Sequence, residues 1–188
     1  MILWFEFAKV LSDKQIKELN KFIGKNYRKK DDNQNAAKTK DGKLLRTSEV
    51  YLTEWHKTKK YLNEAYQRSL YYVNHHFGFQ TFPLNDYCDV NLNVYNSKTN
   101  SAYGWHQDSS HPYDNFDAKG TILINMSSKP YTGGKFYYYF NGDTVHVPAL
   151  DTPGNVIVLR PGVFHKVDPV TSGERRTLSI FLTGPKQI

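Results

Sequence analysis

From residue 79 onward the chain breaks into short stretches of alternating apolar and polar residues, each ended by a turn signal. No other feature limits the fold as much. D-V-N-L-N-V-Y (89–95) has period two, as do parts of T-I-L-I-N-M (121–126) and K-F-Y-Y-Y-F (135–140). V-I-V-L (156–159) and R-T-L-S-I-F-L (176–182) add two further candidate strands. P-Y-T-G-G, F-N-G-D, T-P-G-N and R-P-G-V supply the turns between them. Several strands at this spacing predict a mainly β sandwich or barrel with supporting helices, and not alternating β–α units. No internal repeat is visible.

The front of the chain reads differently. M-I-L-W-F-E-F-A is short and interrupted by Glu6, which suits an ordered strand and not a signal peptide or membrane span. In L-S-D-K-Q-I-K-E-L-N-K-F-I-G, Ser12 and Gln15 hold capping-box positions, and Ile16, Leu19, Phe22 and Ile23 form an apolar stripe up to a stop at Gly24. Residues 25–47 lack periodicity and read as a mobile loop or insertion, with 28–47 a candidate lid. A second helix is predicted over 48–74, burying Tyr51, Trp55, Leu62, Tyr66, Leu70 and Val73.

At 188 residues, the expectation is a single domain over 1–188, with 1–78 mostly helical support and 79–183 the β core. The lone Cys88 excludes an intrachain disulfide framework and fits a reducing, cytoplasmic setting. Residues 1–70 carry 16 Lys and Arg against 9 Asp and Glu, whereas the remainder balances at 9 of each. That excess could steer an acidic partner or nucleic acid, or it could simply solvate helical faces.

The chemistry concentrates in Y-G-W-H-Q-D. On an extended segment His106 and Asp108 point to the same side, so one backbone element offers an imidazole and a carboxylate. Alone, such a pair as readily shares a water or a hydrogen-bond network. V-F-H-K-V supplies a third donor, His165, and two histidines plus one carboxylate on one face suit non-haem Fe(II) oxygen chemistry. Ten residues later, Arg175, Thr177 and Ser179 share one strand face, while Arg176, Leu178 and Ile180 share the other. An inward Arg175 is costly to bury without an anion, and its planar fork suits a small carboxylate. Arg176 is the poorer clamp, because its neighbours face the layer between helices and sheet.

These segments resemble the Fe(II)/2-oxoglutarate-dependent dioxygenases, in particular the prolyl-4-hydroxylase-like branch. The resemblance rests on Y-x7-Y-G-W-H-Q-D, G-G-K-F and P-G-x-x-H-K-V-x-P-V-x-x-G-x-R, and covers about residues 90–183. It implies a distorted double-stranded β-helix, a jelly-roll or cupin-like core braced by helices. By position, it implies His106, Asp108 and His165 as catalytic iron ligands, Arg175 on the distal carboxylate of 2-oxoglutarate, and Tyr95 reaching the co-substrate. Tyr103 holds the aromatic place before H-x-D. Asn125 stands where several relatives carry a tyrosine that assists the distal carboxylate, and is expected to donate in its stead. Gly133 and Gly134 match a family turn, and a tight turn is role enough for them.

The implied reaction couples oxidative decarboxylation of 2-oxoglutarate by O2, giving succinate and CO2, to substrate hydroxylation, with ascorbate as reductant. The leading substrate is a prolyl residue in a protein or peptide. A free amino acid or small metabolite, a nucleic acid, and a non-catalytic binding module remain alternatives. No membrane partner is expected, and oligomeric state is not legible. Among the other polar residues, His75 and His76 look like a helix end, and His111 is a candidate substrate contact. His146 suits a structural or rim position, Trp105 the outside of the metal pocket, and Cys88 an inert buried thiol.

Overall fold

The structure, a computed structural model, describes residues 2–29, 41–42, 44–108 and 115–186. The predicted lid therefore lies largely outside the described residues, as does His111. The elements in order are β1 (Trp4–Phe7), α1 (Asp13–Ile23), β2 (Arg28–Lys29), β3 (Glu49–Glu54), α2 (Trp55–His75), β4 (Asp89–Asn96), β5 (Tyr103–His106) and β6 (Phe116–Asn125). After them come β7 (Thr132–Gly133), β8 (Phe136–Phe140), β9 (Asp143–His146), β10 (Val156–Leu159), β11 (His165–Val167), β12 (Val170–Ser172) and β13 (Glu174–Pro185).

Among the described residues every strand pairing is antiparallel. A seven-stranded sheet has the order β1-β10-β6-β13-β4-β3-β2, a four-stranded sheet the order β5-β11-β8-β9, and β12 pairs with β7 in a small ribbon. The period-two pattern decides which side chains face which layer. Val90, Leu92 and Val94 on β4, and Leu178, Ile180 and Leu182 on β13, bury one sheet face against Ile16, Leu19 and Ile23 of α1 and Leu62, Ala65 and Val73 of α2. The alternate residues look the other way. Leu123, Ile157 and Leu159 from that opposite face pack with Phe136 and Val167 of the smaller sheet in a second core. The large sheet is thus covered by helices on one side and by the small sheet on the other.

The α1 capping box forms as its spacing predicts: the Ser12 side chain accepts from the Gln15 N–H, and Gly24 caps the far end. The helix predicted over 48–74 begins seven residues later, because Glu49–Glu54 is a strand. In that stretch Val50 and Leu52 lie opposite Asn93 and Asn91 on β4, with Tyr51 opposite Leu92. Pairing on β4 outweighs local helical preference there. Glu54 offers α2 no side-chain cap; the backbone N–H groups of Trp55 and His56 instead donate to the carbonyls of Cys88 and Asp86, at 2.9 and 3.1 Å. Strands from the front of the chain also complete the large sheet, β1 against β10 and β3 against β4, so residues 1–78 are not only helical support. The β8–β9 hairpin closes through Asn141 and Gly142, both left-handed with φ of 51° and 93°, a conformation that Asn-Gly adopts cheaply. Among the described residues, no helix is long and apolar enough to cross a membrane.

Candidate metal and carboxylate site

Strands β5 and β11 lie side by side in the small sheet with His106 directly opposite His165. Residues paired this way share a face, and their ring centroids stand 4.1 Å apart. Asp108 follows two residues beyond His106, with Oδ1 at 3.8 Å from His106 Nε2 and Oδ2 at 3.7 Å from His165 Nε2. The donor atoms of the three side chains all fall within 4.8 Å of one another.

Local backbone fixes how the rings present themselves. The Nδ1 of each histidine lies 2.8 Å from the carbonyl two residues earlier, Gly104 for His106 and Val163 for His165. A carbonyl only accepts, so Nδ1 carries the proton and the Nε2 lone pairs converge on the Asp108 carboxylate. Burial, reinforced by the neighbouring His165, pushes the His106 pKa down to about 4, so this ring is neutral and available as a ligand at neutral pH. Tyr103 stacks on His106 at 3.5 Å, and burial raises its own pKa to about 12. Gly104 allows the 44–46 segment to approach: a Cβ there would meet the Leu45 Cδ1 at 2.7 Å.

The triad opens into a cavity of about 200 Å³ between the sheets. Its opposite wall comes from β4 and β13, where Tyr95 pairs with Arg175, Asn93 with Thr177 and Asn91 with Ser179. Arg175 is 1% exposed, yet Nε, Nη1 and Nη2 have no hydrogen-bond partner among the described residues. Its Cζ sits 5.3 Å from the Tyr95 ring centroid, a cation–π contact that offsets part of the desolvation cost. Burial raises the Tyr95 pKa, with Arg175 pulling against it. Gly134 makes room for the arginine: its φ is +61°, and a Cβ would stand 2.8 Å from Arg175 Cδ and 3.6 Å from Tyr131 Cε2. Larger grooves of about 610 and 660 Å³ lie on the outer surface beside α1 and contain none of the triad.

The structure thus brings His106, Asp108, His165, Tyr95 and Arg175 to one cavity, but not Asn125. That side chain is fully buried and committed elsewhere: Nδ2 donates to the Leu150 carbonyl (2.7 Å) and the Tyr131 hydroxyl (3.2 Å), and Oδ1 accepts from the Ser127 N–H (2.9 Å). An amide spent on three partners has no donor left for the cavity. Arg176 faces α1 as expected, bonded to Glu174 at 2.7 Å and Asn20 at 3.2 Å. Trp105 lies outside the cavity, stacked on Phe164 at 5.3 Å, and His146 pairs with Asp151 at 3.0 Å. Cys88 is a free, half-buried thiol.

Three cavity residues carried little sequence signal. Arg46 lines the wall from a segment without periodicity, with its Cζ 5.7 Å from the Tyr103 ring. The buried Thr177 hydroxyl and the Asn91 Oδ1 have no hydrogen-bond partners among the described residues. Only their place on the Arg175 face of β13 and its partner β4 could have marked them.

Comparisons with known proteins agree with this geometry. A profile of the family described as the 2OG-Fe(II) oxygenase superfamily matches residues 90–183. Among solved structures, the chain is similar to a prolyl-4-hydroxylase from Pseudomonas putida (TM-score 0.68, 16% identity, covering 98% of this chain and 93% of that one). It is also similar to a viral collagen prolyl hydroxylase from Paramecium Bursaria Chlorella virus-1 (0.65, 17%, 97% of each). A prolyl hydroxylase from Trichoplax adhaerens, solved with a hypoxia inducible factor peptide fragment, matches at 0.62 and 13%, covering 95% of this chain and 82% of that one. No protein of curated description matches the sequence.

Proposed function

Because the chain belongs to the 2OG-Fe(II) oxygenase superfamily, we propose that it is a hydroxylase acting on a prolyl residue of a protein or peptide, in a reducing compartment such as the cytoplasm. The observation that carries the co-substrate assignment is Arg175: a buried guanidinium with three open nitrogens stands across a small cavity from a His-Asp-His cluster. Burying that charge is costly unless an anion arrives, and a carboxylate matches its fork. The antiparallel sandwich is read as a distorted double-stranded β-helix, which the similarity of fold supports.

In this reading His106, Asp108 and His165 would hold Fe(II). Bound iron and 2-oxoglutarate would supply the oxidative step in which O2 is consumed, succinate and CO2 leave, and the substrate gains a hydroxyl. The chain's own residues do the rest. The Gly104 and Val163 carbonyls hold both imidazoles in the ligating tautomer. Arg175 anchors the far carboxylate, with the Tyr95 phenol and the Thr177 hydroxyl beside it. Stacking by Tyr103 keeps the His106 ring in place and water away from it. Ascorbate would keep the metal reduced.

The prolyl assignment draws on the named activities of the structurally similar proteins. A free amino acid or small metabolite is the second reading, favoured by the polar stretch Asn91, Asn93 and Ser179 along the cavity wall. Incubation with Fe(II), ascorbate and 2-oxoglutarate, with succinate and product mass followed together, tests both. Peptide-dependent succinate matched by one added oxygen, and lost in His106→Ala, is the expected result. Stimulation by free proline would favour the second reading. Succinate from neither, together with no binding of metal or 2-oxoglutarate, would overturn the enzyme assignment.

A further inference from the structure

The wall facing the triad is a ladder of rows set by strand register. The innermost row is Tyr95 with Arg175; next come Val50, Asn93 and Thr177, then Leu52, Asn91, Ser179 and Leu123. Beyond them Phe181, opposite Thr121, is 39% exposed and marks the mouth, whereas Arg175 is 1% exposed and marks the closed end. A co-substrate held at Arg175 occupies the inner rows, so the row of Asn91 belongs to whatever enters from the mouth.

Across these rows the hydrogen-bonding capacity of the two asparagines is unequally spent. Asn93 Nδ2 donates to Ser179 Oγ at 2.9 Å and to the Thr177 carbonyl at 3.4 Å, which ties β4 to β13 and consumes that amide. Asn91 Oδ1 is buried and, among the described residues, accepts nothing. A buried acceptor without a donor is costly, and an apolar ring alone would leave it so. Resting on the function proposed above, we infer that Asn91 is the specificity-determining residue of the substrate half. It accepts a hydrogen bond from an N–H of the substrate. For a prolyl residue in a peptide, that donor is the amide of the following residue. For a free amino acid it is the ammonium group.

The test needs no turnover. Isotope-labelled protein is loaded with Zn(II) and 2-oxoglutarate and titrated by NMR with two matched pairs. One pair is N-acetyl-L-proline methylamide against its dimethylamide; the other is L-proline against N,N-dimethyl-L-proline. The N–H member of at least one pair should bind about fivefold more tightly than its methylated partner, the order expected of one hydrogen bond. The pair that is discriminated identifies the source of the donor. Asn91→Asp, which leaves only acceptors at the position, should retain the ratio; Asn91→Ala, which removes the acceptor and adds room, should bring it to about one. Equal or absent binding of both members in both pairs would overturn the inference, as would a ratio that survives in Asn91→Ala. Loading with Zn(II) and 2-oxoglutarate is followed in the same samples. Its failure would count against the proposed function, whereas intact loading without discrimination would sink only the role of Asn91.

Discussion

At the scale of single residues, the site combines groups that are poorly stabilised until something binds. Arg175 is the clearest case, since among the described residues its three buried nitrogens have no hydrogen-bond partner and the Tyr95 ring lies against the charge. Replacing even a paired set of buried charges by well-packed apolar side chains is often neutral or stabilising by about 1–4 kcal/mol, and an unpaired cation has no attraction to an anion to lose. Arg175→Met should therefore raise the melting temperature of the ligand-free protein while abolishing the further rise that 2-oxoglutarate gives the wild type. Parallel thermal scans with and without 2-oxoglutarate check both signs; a lower ligand-free melting temperature would mean the guanidinium already contributes stability. His106 gives a pH dependence of opposite origin. Its folded pKa of about 4 lies below the ordinary 6.5, so between those values the unfolded chain binds the extra proton. Stability of the metal-free protein should be full above about pH 6.5 and fall as the pH drops toward 4. Urea midpoints at pH 7 and pH 5 should differ less in His106→Ala than in the wild type.

At the scale of elements, the turn that looked like simple punctuation also shapes the site. Gly134 leaves the space through which the Arg175 stem passes, and its left-handed φ adds strain to any substitution. Gly134→Ala should weaken 2-oxoglutarate binding by tenfold or so, yet leave Zn(II) affinity nearly unchanged, because the triad sits on other strands. Calorimetric titration of each ligand separates the two, and equal losses would point to general unfolding. The same elements explain what could be read from the sequence. The alternation R-R-T-L-S-I-F-L on β13 put Arg175, Thr177 and Ser179 on one face and Leu178 and Ile180 on the other, because side chains there follow a strict period of two. The β3–α2 boundary was hidden: no glycine or proline marks it, and the N–H groups of Trp55 and His56 are satisfied by carbonyls some thirty residues away. Asn125 was misjudged for a related reason. Its position on β6 was legible, but the hydrogen bonds that hold its amide come from Leu150, Tyr131 and Ser127, which only the tertiary fold brings near.

At the scale of the whole molecule, the proposed ligands would divide between two sheets that share no strand pairing. The triad belongs to β5, β11 and the residues just past β5, whereas Tyr95 and Arg175 belong to β4 and β13 of the seven-stranded sheet. Anything that touches both walls links the sheets across the cavity, and a ligand confined to one wall cannot. This separation predicts how protection spreads in amide hydrogen exchange. Zn(II) alone should slow exchange in β5 and β11. Addition of 2-oxoglutarate should extend the slowing to β4 and β13, since only then does a bound group reach from the triad to Arg175. In Arg175→Met the first effect should persist and the second vanish. Metal alone protecting both sheets equally would mean that they already behave as one rigid unit, and the cavity would then be a preformed socket and not the joint between two halves.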